Sequence, residues 1–224
     1  MPIKGAIFDL DGTLLDSMTI WSNLCLRFLK KNGISPNDGG LVGMDKKLEV
    51  LSIRNALAYV LKVYPQITVD LETAWRETWQ IVEDFYCNQV EIKAGIPEIL
   101  AELQRLNIPA GIITATESEL VEKALARTNL DNCFAAGVMS CAALQTSKRS
   151  ADVFFMMAEK LHASPSEIIV FEDALYAATT ARNAGFAVAA VYDPSEKNQE
   201  KLQATANWYC RSWTELPLAI LQGN

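Results

Sequence analysis

The stretch AIFDLDGTLLDS, residues 6–17, combines an apolar run with two closely spaced aspartates near the start of the chain. An apolar run leads directly into Asp9, and Asp11 and Gly12 follow after a single leucine. Two carboxylates this close together beside buried surface repel each other and lose hydration. A bound cation would remove that repulsion, so the pattern predicts a buried strand that ends at a charged functional site.

Four more apolar runs resemble buried strands, and helix-like segments separate them. Alternation of buried strands and helices predicts a parallel sheet that is covered on both faces. The strand-like runs are AGIITAT (110–116), AAGVMS (135–140), EIIVFED (167–173) and AVAAVY (187–192). The helix-like segments are SELVEKALART (118–128), ADVFFMMAEKL (151–161) and ALYAATTARNAG (174–185).

Local signals at the ends of these segments agree with the alternation. Thr116 with Glu119, and Ser164 with Glu167, have the spacing of a capping box. Gly185 stands where the last of these helices is expected to end.

Residues 17–90 interrupt the alternation with amphipathic segments. We predict helices over 18–34, 45–64 and 70–90, with the loop PNDGG at 36–40. The fold class is therefore α/β: a Rossmann-like parallel sheet core flanked by helices, with an inserted all-helical cap domain. The expected boundaries are 1–16 and 91–224 for the core and 17–90 for the cap.

Composition limits the classes of partner. The chain has 224 residues and a net charge of −7, which disfavours nucleic acid or an anionic membrane but leaves room for a small anionic substrate. Five scattered cysteines without a CxxC pair, and a single histidine, His162, offer too few ligands for a zinc site. We expect reduced cysteines, an exposed His162 and a cytoplasmic protein, without a signal peptide or membrane span.

Polar side chains follow the predicted strands where each strand ends. Ligands of open α/β sheets bind beyond the carboxyl ends of the strands, so these side chains are expected to form one site. They are Asp9, Asp11, Thr114, Glu172 and Asp173, with Lys148 before the helix that follows the third strand.

These residue types suit phosphoryl transfer. Asp9, Asp11 and Asp173 offer the hard oxygen ligands that Mg²⁺ prefers. Together with Lys148 and Thr114, the cation would neutralise and hydrogen-bond a phosphoryl group. One aspartate can act as a nucleophile and the second as a general acid and base.

Four stretches resemble, in order, the motifs of the haloacid dehalogenase-like hydrolase superfamily. They are FDLDGTLLDS, IITAT, SKRSADVFFMMAEKL and FEDALYAATTARNAGF. The resemblance covers nearly the whole chain and is to phosphatases and phosphomutases with a helical cap after the first motif. It implies that Asp9 is the nucleophile, Asp11 the acid and base, and that Thr114 and Ala115 bind phosphate.

The same resemblance implies roles for the later motifs. Lys148 would orient the nucleophile and the phosphate, and Asp173, with Glu172 nearby as a ligand or outer partner, would hold Mg²⁺. The backbone carbonyl of Asp11, rather than its carboxylate, usually completes the metal site in this family. The expected activity is Mg²⁺-dependent hydrolysis of a small phosphorylated metabolite through an aspartyl-phosphate on Asp9.

The chain departs from the family pattern at two positions without chemistry of their own. Arg149 stands where proline usually follows the lysine, and Ala177 where glycine is common. Both concern local loop geometry. The presence of Asp11 argues against a dehalogenase, since the dehalogenases of the family lack the second aspartate.

Two alternatives to a phosphatase stay open. β-Phosphoglucomutases carry a histidine early in the cap, where this chain has Trp21, which favours hydrolysis over a sugar-phosphate mutase. A non-catalytic ligand-binding member of the fold would have lost motif residues that are present here.

Other conspicuous side chains have simpler interpretations. We expect Asp16 and Ser17 to cap a helix, and Lys46, Lys47 and Arg54 to lie on a solvated face. Trp21, Trp75 and Trp79 are expected to pack within the cap or against the core.

Overall fold

The computed structural model describes residues 2–35 and 53–222. The chain divides into two compact units, one formed by Met1–Met18 with Val90–Asn224 and the other by Thr19–Gln89. The predicted loop at 36–40, the first part of the helix predicted at 45–64, and Lys46 and Lys47 lie outside the described residues. A cap function for the Thr19–Gln89 unit stays a prediction.

The first unit contains a six-stranded parallel sheet. The strands are β1 Gly5–Phe8, β2 Ala110–Thr114, β3 Val138–Ser140, β4 Ile168–Glu172, β5 Ala187–Val191 and β6 Trp208–Cys210. They lie in the order β3-β2-β1-β4-β5-β6. Central β1 and its neighbours β2 and β4 are buried along their whole length, because helices cover both faces. The predicted parallel sheet is confirmed.

The middle of the sheet is held by aromatic packing on β1. The Phe8 ring stacks on the Phe171 ring of the adjacent strand with centroids 4.3 Å apart, and the Phe134 ring meets it edge-on at 5.8 Å. Trp213 packs against Phe171, and its indole N–H donates to the backbone oxygen of Thr13 at 2.8 Å. These contacts fix the position of β1, the strand that precedes Asp9.

The predicted helices between the strands are confirmed, and two more flank them. The first four helices along the chain, α1–α4, lie within 18–88. In the described part of the sheet unit, the α-helices are α5 Ile96–Arg105, α6 Ser118–Thr128, α7 Asp152–Lys160, α8 Leu175–Asn183 and α9 Gln199–Thr205. Short 3-10 turns cover Pro165–Glu167, Trp213–Glu215 and Leu218–Gln222. None of the described helices is long and apolar enough to cross a membrane.

One of the two predicted capping boxes is wrong. Ser164 and Glu167 form theirs, although around a 3-10 turn. Helix α6, however, begins at Ser118 after Glu117, and the Thr116 side chain bonds elsewhere. Gly185 directly follows the cap of α8 with φ +91°, a conformation that glycine adopts without strain.

In the described residues of the Thr19–Gln89 unit, which we call the helical unit, the helices are α1 Met18–Ser22, α2 Leu24–Lys31, α3 Ile53–Val63 and α4 Leu71–Asn88. The single helix predicted over 18–34 is wrong, because the backbone breaks at Asn23. The Asn23 side chain donates to the backbone oxygen of Thr19 at 3.1 Å, which competes with the helical pattern. Gly33, with φ +74°, follows the end of α2.

The predicted tryptophan packing lies inside this unit. The rings of Trp75 and Trp79 on α4 stack with centroids 5.9 Å apart. Trp21 donates from its indole N–H to the Tyr86 hydroxyl at 3.2 Å. Arg54 pairs with Glu72 on the exposed surface, in line with the expected solvated face.

Candidate active site

Asp9, Lys148 and Glu172 form a buried ionic triad at the carboxyl edge of the sheet. The Lys148 ammonium donates to Oδ1 of Asp9, and to Oε2 of Glu172 at 2.9 Å. Asp9 follows β1, Glu172 ends β4, and Lys148 lies in the turn before α7. The relative exposure of the three residues is 6%, 3% and 1%, so water screens these charges little.

The triad raises the pKa of Lys148. Burial by itself would lower it, but the negative charges of Asp9 and Glu172 outweigh burial and hold the pKa of Lys148 well above its usual value. Lys148 therefore stays a cation at neutral pH. A fixed positive charge next to Asp9 is suited to orienting a carboxylate and to neutralising an incoming anion.

Glu172 and Asp173 are carboxyls whose charged forms burial disfavours. Burial, opposed by Lys148, raises the pKa of Glu172 to about 7. Burial and the neighbouring charges of Asp9 and Glu172 raise the pKa of Asp173 well above its usual value. The Thr13 hydroxyl donates to Oδ1 of Asp173 at 2.8 Å and fixes that side chain.

Asp9, Glu172 and Asp173 together could hold a metal ion. One carboxylate oxygen from each lies within 4.8 Å of the others, and all three residues are buried. Lys148 forms ion pairs with Asp9 and Glu172, and the hard oxygens of the three carboxyl groups match the preference of Mg²⁺. The residues therefore fit the predicted cation.

Asp11 lies beside this cluster and is held by hydroxyls. Ser17 donates to its Oδ1 at 2.6 Å, and Thr116 donates to its Oδ2. The carboxylate of Asp11 is thus oriented by neutral donors, and its backbone carbonyl stays a predicted metal ligand. Ser17 is fully buried, and its contact with Asp11 was not predicted from the sequence, which indicated only a helix cap. Asp16 is exposed.

Gly12 makes the approach of the two acidic segments possible. Its φ is +87°, and a Cβ there would lie 2.4 Å from Oδ2 of Asp173. No side chain fits into that space without displacing Asp173. The glycine after Asp11 is therefore required by both backbone conformation and space.

The predicted phosphate-binding residues follow β2. Thr114 is buried, and its Oγ1 accepts a hydrogen bond from the backbone N–H of Thr116 at 3.0 Å, which leaves its own hydroxyl proton for another acceptor. Ala115 is exposed and offers only backbone groups. The Ser140 hydroxyl donates to the backbone oxygen of Thr116 at 2.7 Å and holds this loop.

The structure thus brings Asp9, Lys148, Glu172 and Asp173 together, with Asp11 beside them. Sequence reasoning missed Thr116 and Ser17 as partners of Asp11. Thr116 stands two residues past the end of a strand at the expected binding edge, and that position was the available signal. All five cysteines are free and His162 is exposed, as expected.

Comparison with known proteins adds a family match. The sequence model described as "Haloacid dehalogenase-like hydrolase" matches residues 6–191. The chain is 26% identical to hexitol phosphatase B of Escherichia coli O157:H7, over 99% of this chain and 97% of that protein. It is 25% identical to a fructose-1-phosphate phosphatase of Escherichia coli strain K12, over 81% of this chain and 92% of that protein.

A solved structure shares the fold. A putative β-phosphoglucomutase from Thermotoga maritima superposes with a TM-score of 0.80 at 19% sequence identity, covering 98% of this chain and 97% of that one. At this identity the similarity establishes the fold alone. It includes the parallel sheet that carries the carboxyl-edge site.

Proposed function

Because this chain belongs to the haloacid dehalogenase-like hydrolase family, in its phosphatase and phosphomutase subgroup, we propose that it is a Mg²⁺-dependent phosphatase with Asp9 as nucleophile. The observation that carries the proposal is the buried bridge from Lys148 to both Asp9 and Glu172. A buried cation that holds one carboxylate against a strand end is an arrangement for nucleophilic attack on an anion.

In the first step a carboxylate oxygen of Asp9 attacks the phosphorus of the substrate. An Asp9 oxygen–phosphorus bond forms, and the bond from phosphorus to the substrate's ester oxygen breaks. Asp11 gives its proton to the departing oxygen, which leaves as an alcohol. Thr114 and Lys148 donate hydrogen bonds to the phosphoryl oxygens, whose charge the site must balance.

In the second step water releases the phosphate. Asp11, now ionised, accepts a proton from the water that attacks phosphorus, and the bond to Asp9 breaks. The hydroxyls of Ser17 and Thr116 hold the Asp11 carboxylate in place for both proton transfers. Asp9 lies beside the Lys148 cation, and the carboxylate of Asp11 accepts from two hydroxyls, which suits the two aspartates to different roles.

Asp9 and Asp173, with Glu172 nearby and the Asp11 carbonyl, would hold the magnesium ion. When bound, Mg²⁺ supplies positive charge for the phosphoryl oxygens and relieves the repulsion among the buried carboxylates. The raised pKa values of Glu172 and Asp173 support this, since burial leaves these carboxyls short of positive charge.

We propose a phosphorylated sugar or sugar alcohol as the substrate. Relatives named hexitol phosphatase and fructose-1-phosphate phosphatase align over most of the chain. A negatively charged, polyhydroxylated monoester also agrees with the small anionic substrate expected from the sequence.

A mutase is the second candidate, and Trp21 argues against it. Transfer between two positions of one sugar needs groups that move protons at both positions. Trp21 stands where the mutases carry histidine, and its indole can donate but not accept a proton. Hydrolysis to inorganic phosphate is therefore the expected outcome.

The test is phosphate release from a panel of sugar, polyol and nucleotide monophosphates, with Mg²⁺ and with EDTA. Asp9→Asn should lower kcat at least about a thousandfold without changing the circular dichroism spectrum. Asp16→Asn is the matched control, because Asp16 is exposed and close in sequence, and it should keep wild-type activity.

Two outcomes would contradict the proposal. Residual activity of pure Asp9→Asn near that of Asp16→Asn would remove Asp9 as the nucleophile. Isomerised sugar phosphate without net phosphate release would identify a mutase.

A further inference from the structure

Two consecutive residues of one turn, Lys148 and Arg149, contact residues at and just after the end of β4. Lys148 donates to Glu172 at the end of β4, and the guanidinium carbon of Arg149 lies 4.7 Å from the centroid of the Tyr176 ring in the first turn of α8. The turn before α7 is therefore joined to the end of β4 by an ion pair and to the first turn of α8 by a cation–π contact.

The contact between Arg149 and Tyr176 is closer than the comparable contact between Arg27 and Phe85, where the distance is 5.8 Å. Tyr176 is half-buried and packs against the hydrophobic cluster of the sheet unit. A ring anchored in this way is a fixed platform for the exposed Arg149 side chain. A cation over a partly desolvated ring is attracted more strongly than one in open water.

The hydrogen bonds around Lys148, apart from its own ion pairs, join residues that are close in sequence. The Ser150 N–H donates to the Ser147 oxygen at 3.0 Å, and the Arg149 N–H donates to Oγ of Ser147 at 3.3 Å. The Ser150 hydroxyl donates to Oδ2 of Asp152, at the start of α7, at 2.8 Å. The Tyr176 ring adds a contact from Arg149, the residue next to Lys148, to α8.

Both ion pairs of Lys148 depend on where its ammonium group lies. Lys148 is 3% exposed and satisfies Asp9 and Glu172 at once, so a small displacement would lengthen both charged contacts.

We propose that Arg149 and Tyr176 form a clamp that positions Lys148 between Asp9 and Glu172. The clamp deepens the proposed phosphatase function and rests on it for its effect on catalysis. Neither residue is assigned to the reacting atoms, so both are positioning residues. The arginine that replaces proline after Lys148 thereby acquires a structural partner on α8.

The experiment uses two readouts on Arg149→Gln, Tyr176→Leu, their double variant and Tyr176→Phe. The first is the rate of reductive methylation of Lys148 in the folded protein, followed by peptide mass spectrometry. The second is kcat and KM for the best substrate of the phosphate-release panel. Arg27→Gln is the control, since it removes an arginine from the Phe85 ring in the other unit.

Each single variant should lower kcat about three- to fivefold and raise Lys148 methylation by a similar factor, with little change in KM. The double variant should be no worse than either single one, because both remove the same contact. Tyr176→Phe, which keeps the ring, should restore both readouts towards wild type, and Arg27→Gln should leave Lys148 methylation unchanged.

Unchanged methylation of Lys148 in Arg149→Gln and Tyr176→Leu would overturn the clamp, as would effects that multiply in the double variant. The methylation readout needs no enzymatic activity. If the wild-type protein released no phosphate from any substrate, the proposed function would fail while methylation still decided the clamp.

Discussion

Glu172→Gln should make the stability of the metal-free protein much less dependent on pH between pH 5 and 8. In the folded protein burial, opposed by Lys148, raises the pKa of Glu172 from 4.5 to about 7. The folded state therefore keeps a proton that the unfolded chain has already lost, and the free energy of unfolding falls as pH rises through this range. A rise of that size corresponds to about 3 kcal/mol.

Two other carboxyls with shifted pKa values change the stability outside the range from pH 5 to 8. The pKa values of Glu167 and Asp193 are lowered in the folded protein, so their stabilisation is lost only as pH falls below about 4. Asp173 acts in the same direction as Glu172, because burial raises its pKa as well. The Glu172→Gln variant should therefore keep a shallower slope rather than none.

The assay is the melting temperature in EDTA at several pH values from 5 to 8, by differential scanning calorimetry. About 3 kcal/mol corresponds to a fall of roughly 6–12 °C for a chain of this size, and saturating Mg²⁺ should reduce that fall. Glu167→Gln is the matched control, because it removes a carboxylate just before the same strand. The pKa of Glu167 in the folded protein is about 2, which lies outside the range from pH 5 to 8. Parallel profiles of melting temperature against pH for wild type and Glu172→Gln would contradict a raised pKa of Glu172 in the folded protein.

The remaining predictions concern Asp11 and its neighbours. Thr116→Val should lower kcat about tenfold, because it removes a hydrogen bond to the Asp11 carboxylate, whereas Thr116→Ser should keep most of the activity; equal rates for both variants would contradict this. Gly12→Ala should destabilise the protein by at least about 2 kcal/mol in urea unfolding, since a Cβ would meet Asp173 at 2.4 Å and φ is +87°. Gly33→Ala, with φ +74° but open space, should cost about 1 kcal/mol, and an equal loss in both would show that crowding at Asp173 is unimportant.

The strands were predictable because a parallel sheet is buried on both faces. Each of the five predicted strands is a short apolar run, and β1, β2 and β4 are buried at every position. Strand β6 was missed because polar Asn207 and Arg211 flank Trp208–Cys210, whereas the equally short edge strand β3 lies in a longer apolar run, AAGVMS. The break at Asn23 was missed because the apolar periodicity continues across it, while a local side-chain hydrogen bond interrupts the helix.

The sequence alone determined the α/β class and the polar residues at the strand ends, because both follow from local patterns of burial and charge. Which of those residues make contact depends on the tertiary structure. Thr116 reaches Asp11 across 105 positions of chain, and Lys148 reaches Asp9 across 139. The order of the strands in the sheet creates these pairs, and no local preference encodes it. Through that order, Lys148 pairs with Asp9, and Thr116 joins the nearby Ser17 in donating to Asp11.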